Sequence, residues 1–181
     1  QQIIQHCSNG KHFGYTPSDF PLANIKQETL DQIFGNDPNI EEIYRLGPMQ
    51  ESLLFHTLYK LNSDAYQIQT LLEIKETLNL KSLQEALQKV VENHPILRTA
   101  FVWKDLIHPI QVVYHSVPFQ CSYQEMQSDQ ELQVFLKKDL KERFEITQAP
   151  LFRMHLILLN NRKTYLVWTR HHLILDGWST P

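Results

Sequence analysis

Apolar and polar positions along this chain follow two distinct periods. Leu83, Ala86, Leu87, Val90 and Val91 recur at i, i+3, i+4, i+7 and i+8, one stripe of an amphipathic helix. Ser82 with Glu85 three residues on has the form of a capping box at its start, and Pro95 closes it. Asp129 to Phe144 repeats the pattern, with Leu132, Phe135, Leu136 and Leu140 on the inner face. A third helix is predicted from Pro48, which suits a first turn, to about Lys60. Met49, Leu53, Leu54, Phe55 and Leu58 make its apolar surface so broad that the helix is expected to be well buried. Gln27 to Phe34 forms a short helix that Gly35-Asn36-Asp37-Pro38 would stop.

Between these helices the period falls to that of strands. Tyr66 to Ile74, LRTAFVW after Pro95, Ile107 to Tyr114 and Val117 to Tyr123 are strand candidates. Leu151 to Leu159 and Thr164 to Arg170 form a hairpin through Asn160-Asn161-Arg162-Lys163. Ile40 to Leu46 leads into the Pro48 helix. Strands outnumber helices and include a hairpin, so the expected class is α/β: a mixed, mostly antiparallel sheet packed by helices. Gln1 to about Gly14 reads as the tail of something that precedes this unit, and Thr16 to Asn24, with two prolines, as an extended linker. The expected organisation is therefore a tail and linker over 1–24 and one lobe over 25–181.

Composition narrows the function classes. At 181 residues, 42% hydrophobic and 20% charged, the chain has the make-up of a globular domain. Seventeen Lys and Arg against twenty Asp and Glu leave a net charge of −3, which does not point to nucleic acid or to an anionic membrane surface. Cys7 and Cys121 are far apart and make neither a disulfide framework nor a metal-ligand pattern, so a reducing, cytoplasmic setting is expected. No signal-peptide pattern opens the chain, and no apolar run approaches the roughly 20 residues that span a bilayer.

Candidate chemistry lies in HHLILDGWS, where the hairpin's second strand runs into His171 and His172. Successive strand side chains point to opposite faces, so both histidines cannot face one pocket if the strand persists. One is free for chemistry and the other is packed or hydrogen-bonded inside. Asp176 lies four residues past His172, where it could orient an imidazole, fix its tautomer or bind a cation that shapes the loop. Gly177 permits a tight backbone path. Imidazole suits acyl transfer to an amine, since its unperturbed pKa of about 6.5 leaves it mostly neutral at pH 7. The alternative is a core histidine pair with a turn aspartate. A metal site is not indicated: adjacent histidines cannot easily share an ion, and no third ligand has suitable spacing.

HHLILDGWS resembles the HHxxxDGWS signature of the condensation domains of non-ribosomal peptide synthetases. PMQESLLFH and NHPILRTAF resemble that family's first and second motifs, PMQEGMLFH and RHExLRTxF. The motifs stand in the family's order between Pro48 and Ser179. Asn93 and Pro95 depart from the second motif, and Ser52 and Leu53 from the first. HCSNGKHFGYTPSDFPL is similar to the segment that closes an upstream epimerisation domain and links it to a following condensation domain.

That resemblance implies a chloramphenicol acetyltransferase-like fold in which two lobes form a V around a tunnel, this chain being the N-terminal lobe and the C-terminal lobe absent. It implies His172 as the catalytic residue and His171 as a supporting one. Asp176 would be structural, paired with Arg98 of LRTAF; Gly177 would matter for backbone approach, and Trp178 and Ser179 would pack behind the loop. The implied activity is peptide-bond formation between a carrier-bound peptidyl or aminoacyl thioester and an aminoacyl acceptor, with a D-residue donor and an L-acceptor. No cofactor would be bound directly; phosphopantetheine arms of carrier proteins would deliver both substrates. Partners would be donor and acceptor carrier proteins, the other lobe, and neighbouring epimerisation and adenylation domains. The isolated lobe is expected to be inactive and to expose an apolar face where the other lobe docks. Two rivals are a free-standing coenzyme A-dependent acyltransferase of the same fold and a non-catalytic lobe that docks carrier proteins.

Overall fold

The computed structural model describes residues 14–35, 37–59, 66–76, 78–160, 162–177 and 179. The expected tail over 1–13, with Cys7, and the packing of Trp178 lie outside the described residues. Seven strands fall into two sheets instead of the one expected. A three-stranded antiparallel sheet has the order β1 (Ile40–Arg45), β4 (Ile110–Tyr114), β3 (Thr99–Val102). A four-stranded sheet has the order β2 (Gln67–Ile74), β7 (Lys163–His171), β6 (Phe152–Leu159), β5 (Ser122–Met126). Among the described residues only β5 and β6 run parallel, and a helix joins them, the usual crossover between parallel neighbours. The hairpin β6–β7 and the strand from 67 to 74 stand where the alternation placed them.

Helices α1 (Gln27–Phe34), α2 (Pro48–Tyr59), α3 (Leu80–Asn93) and α4 (Asp129–Lys141) match the predicted helices in place and nearly in length. Gly35, at φ 53°, takes a positive-φ conformation that glycine adopts without strain, and ends α1. The N-cap of α3 is Asn79 and not Ser82: the Asn79 Oδ1 accepts the Ser82 N–H at 3.0 Å, so the helix begins a turn earlier than the capping box implied.

Helix α2 corrects the expectation of deep burial. Leu54 is buried and Leu53 and Leu58 pack on the main core, whereas Met49, Phe55 and Tyr59 are 69%, 63% and 77% exposed. A helix that is apolar all round does not say which side has a neighbour. Phe55 and Tyr59, one turn apart, stack on each other with centroids 5.9 Å apart.

Val117 to Tyr123, expected as one strand, is extended coil up to Cys121 and strand only from Ser122. Two glutamines on the inner face of α3 replace the missing ladder. Gln84 accepts the Cys121 N–H at 2.7 Å and donates to the Phe119 carbonyl; Gln88 accepts the Phe119 N–H at 3.0 Å and donates to the Val117 carbonyl at 3.3 Å. Thr16 to Asn24 is likewise not extended. It folds as successive turns, with the Asp19 carboxylate accepting from Thr16, and buries Phe20 and Ala23 against Leu30, Ile40, Ile43, Ile110 and Val112.

The carboxylate of Asp139, 3% exposed on α4, gathers the larger sheet beneath it. Its Oδ1 accepts from Arg153 Nε at 2.6 Å and His155 Nε2 at 3.1 Å; its Oδ2 accepts from Gln69 Nε2 at 2.7 Å and from the Thr169 hydroxyl. Burial alone would raise its pKa, but the hydrogen bonds from His155, Arg153, Thr169 and Gln69 outweigh burial and hold it well below the usual carboxylate range. Asp139→Ala leaves the Arg153 charge without its carboxylate and is expected to cost about 3–5 kcal/mol, read as a lowered urea midpoint. A midpoint unchanged from wild type would remove the carboxylate from the lobe's stability. Because the native carboxyl is the stronger acid, the stabilisation is present above about pH 4 and is lost as pH falls below it.

Candidate active site

β7 carries the predicted chemistry to the end of the larger sheet. Its last residue, His171, sits opposite Gln67 of β2, and the ladder continues one step further through a 2.8 Å bond from the His172 N–H to the Tyr66 carbonyl. The chain then turns, with the Ile174 N–H bonded to the His171 carbonyl at 3.2 Å, and Leu173 and Ile174 bury into the main core. The two histidines are therefore separated as strand alternation requires.

His171 is the inward one, 4% exposed. Its Nδ1 accepts the Leu173 N–H at 3.1 Å, so the ring proton is on Nε2. A cavity of about 50 Å³ adjoins the ring, lined also by Thr57, Tyr66, Gln67, Arg143 and Phe144. Burial, with the neighbouring His172 adding to it, pushes the His171 pKa down to about 4. His171 is thus a neutral acceptor that shapes the turn.

His172 is half-buried and differs in kind. Its Nδ1 is fully buried and has no hydrogen-bond partner among the described residues. Asp176 does not face either ring nitrogen through any described bond. Its Oδ1 accepts the Ser179 N–H at 2.8 Å and the Ser179 hydroxyl at 2.7 Å, which closes the turn that follows. Ser179 is exposed, not packed behind the loop.

Arg98 is placed differently from the expected Asp176 pair. Its ion pair is with Glu41 of β1, and its guanidinium also donates to the carbonyls of Val91 at 3.1 Å, Tyr114 and His115 at 3.4 Å. These contacts fasten the 3₁₀ turn Pro95–Arg98 to the smaller sheet. β1, which the hydrophobic pattern did not reveal, supplies the carboxylate. Gly177 has its backbone outside the left-handed region, and among the described residues a Cβ there would meet nothing within 4 Å. The lobe's own backbone therefore does not require glycine at this position.

Two residues with no assigned role support the loop. Gln50 and Gln111 form a reciprocal amide pair at 3.2 Å in each direction. Gln50 also donates to the Leu173 carbonyl at 3.3 Å, tying the start of α2 to the turn after the histidines. The signals were Gln50 inside PMQESLLFH and a lone amide in the buried strand IQVVY.

The fold is shared with solved structures. The first condensation domain of the calcium-dependent antibiotic synthetase matches with a TM-score of 0.66 over 73% of this chain and 33% of that one, at 18% identity. The starter condensation domain of rhizomide synthetase matches with a TM-score of 0.67 over 76% of this chain and 36% of that one, at 20% identity. The fold is that of a chloramphenicol acetyltransferase-like lobe. The condensation-domain family model matches residues 40–181, and the chain belongs to that family. One of the linear gramicidin synthase proteins of Brevibacillus parabrevis is 43% identical over 99% of this chain, and bacitracin synthase 3 of Bacillus licheniformis 31% identical over 98%. The chain spans 4% and 3% of those proteins.

Two measurements follow from this geometry. Glu41→Ala leaves the 5%-exposed Arg98 side chain without its carboxylate. It is expected to cost about 1–3 kcal/mol, less than a fully buried pair because Glu41 itself is 35% exposed. A melting temperature unchanged by Glu41→Ala would count against that pairing. For His171 the unfolded chain takes up a proton below about pH 6.5 and the folded lobe does not until about pH 4. Stability should therefore fall across that window, by up to about 3 kcal/mol, and the slope should flatten in His171→Gln. The same slope in wild type and variant would assign it to other groups.

Proposed function

We propose that this lobe catalyses peptide-bond formation within a non-ribosomal peptide synthetase, with His172 as the catalytic residue. The observation that carries the reading is the family membership together with a half-buried His172 whose backbone N–H is held by the Tyr66 carbonyl at the end of β7. In the reaction, the amine of a carrier-bound aminoacyl thioester attacks the carbonyl of a peptidyl or aminoacyl thioester on another carrier. The C–N bond forms, the C–S bond breaks, and the chain moves downstream. Phosphopantetheine arms deliver both substrates, so the partners are donor and acceptor carrier proteins, with adenylation domains loading them, in a cytoplasmic enzyme. Among the described residues no helix is long and apolar enough to cross a membrane.

The modular setting is favoured over a free-standing coenzyme A-dependent acyltransferase. The likeness to the linear gramicidin synthase protein runs over 99% of the chain and so takes in residues ahead of the family match. Residues 1–24 would then join an upstream epimerisation domain to the lobe over 25–181, which makes the donor's last residue D and the acceptor L. In the synthetase that contains this domain, His172→Ala is expected to lower peptide-bond formation by at least about 100-fold, measured as dipeptidyl product released from the downstream carrier. The melting temperature should stay near that of wild type. Product forming at the wild-type rate would overturn the assignment.

A further inference from the structure

Behind the histidine turn, two polar groups without protein partners share one cavity. Gln67 of β2 donates from Nε2 to the Leu140 carbonyl at 2.6 Å. A carbonyl can only accept, so that bond fixes which way the amide points. The Gln67 Oε1 is fully buried, and among the described residues nothing donates to it. His171, opposite Gln67 on the β2–β7 ladder, has the complementary need. Its Nδ1 accepts the Leu173 N–H, so Nε2 carries the proton, and no described residue accepts from that nitrogen. Both residues line the cavity of about 50 Å³. Thr57 lines it too; its hydroxyl donates to the Leu53 carbonyl at 2.7 Å and so offers only lone pairs. A buried donor and a buried acceptor left unpaired are each costly.

An ion would satisfy one of these groups and oppose the other. An anion would face the Gln67 oxygen, and a metal cation or an ammonium group would face the His171 N–H. An apolar side chain would leave both unpaired. The occupant must therefore accept one hydrogen bond and donate at least one. About 50 Å³ exceeds the roughly 10–15 Å³ that one water needs. We propose that the cavity is a hydration site in which an ordered water accepts from His171 Nε2–H and donates to Gln67 Oε1, with Thr57 Oγ1 as its second acceptor. Three such bonds are typical of a buried water. Both ring nitrogens of His171 are then engaged, so the imidazole is fixed from two sides where the Leu173 N–H alone would fix it from one. The water thereby ties β2 and α2 to the turn that follows β7. This support is independent of which residue carries out the chemistry.

A crystal structure of the protein, at a resolution that shows ordered solvent, tests the site directly. A water peak is expected within roughly 2.7–3.2 Å of both Gln67 Oε1 and His171 Nε2. No peak, or one bonded to only one of the two atoms, would overturn the proposal. Crystals soaked in bromide should show no anomalous signal in the cavity; a signal there would make it an anion site and sink the water. In Gln67→Met, which keeps the length of the side chain and removes the amide, the peak should be lost while the Leu173 N–H stays on His171 Nδ1. A water at full occupancy in that variant would also defeat the proposed bridge. The wild-type crystals decide the question even if Gln67→Met does not fold.

Discussion

One carboxylate sets the register of the sheet that carries the site. Gln69, Thr169 and Arg153 form a single rung across β2, β7 and β6, and all three donate to Asp139 on α4. A one-residue slip of any of these strands would turn its donor to the other face. The next rung on that face pairs Gln67 with His171, so the side chain that shapes the turn after the strand lies two residues from the one that Asp139 holds. Arg153 also donates to the carbonyls of Asp139 and Glu142, which caps the end of α4 with the same guanidinium that neutralises the carboxylate. The position of His172 is thus set by a buried ionic contact on the opposite face of the sheet.

Amides do the corresponding work on the other face. Gln84 and Gln88 supply both donors and acceptors to the backbone of 117–121, and Gln50 and Gln111 join α2, β4 and the turn after the histidines. An amide side chain carries the same donor and acceptor as a peptide group, so a segment bonded this way needs no partner strand. That is why the hydrophobic pattern of Val117 to Tyr123 suggested more strand than exists.

The repeating elements were legible from the chain because their cause is local. Leu83, Leu87 and Val91 of α3, the stripe of α4, the stop after α1 and the β6–β7 hairpin all depend on residues within a few positions of one another, although Ala86 and Val90 of the α3 stripe are exposed. What the pattern did not reveal depends on distant partners. β1 carries only Ile40 and Ile43 inward, and its Glu41 becomes meaningful only beside Arg98, 57 residues away. The division into two sheets and the exposed side of α2 are of the same kind. Strand alternation, by contrast, was enough to separate His171 from His172, because it needs only the strand and its end.

The difference between those two histidines is sharper than inward against outward. His171 is buried with its acceptor nitrogen satisfied, so burial fixes its charge state and the Leu173 N–H fixes its tautomer. His172 is half-buried, its Nδ1 is buried with no hydrogen-bond partner among the described residues, and the residue is held through its backbone N–H on the Tyr66 carbonyl, not through its ring. One step of strand alternation thus separates an imidazole bound into the turn from one that the turn leaves unbound.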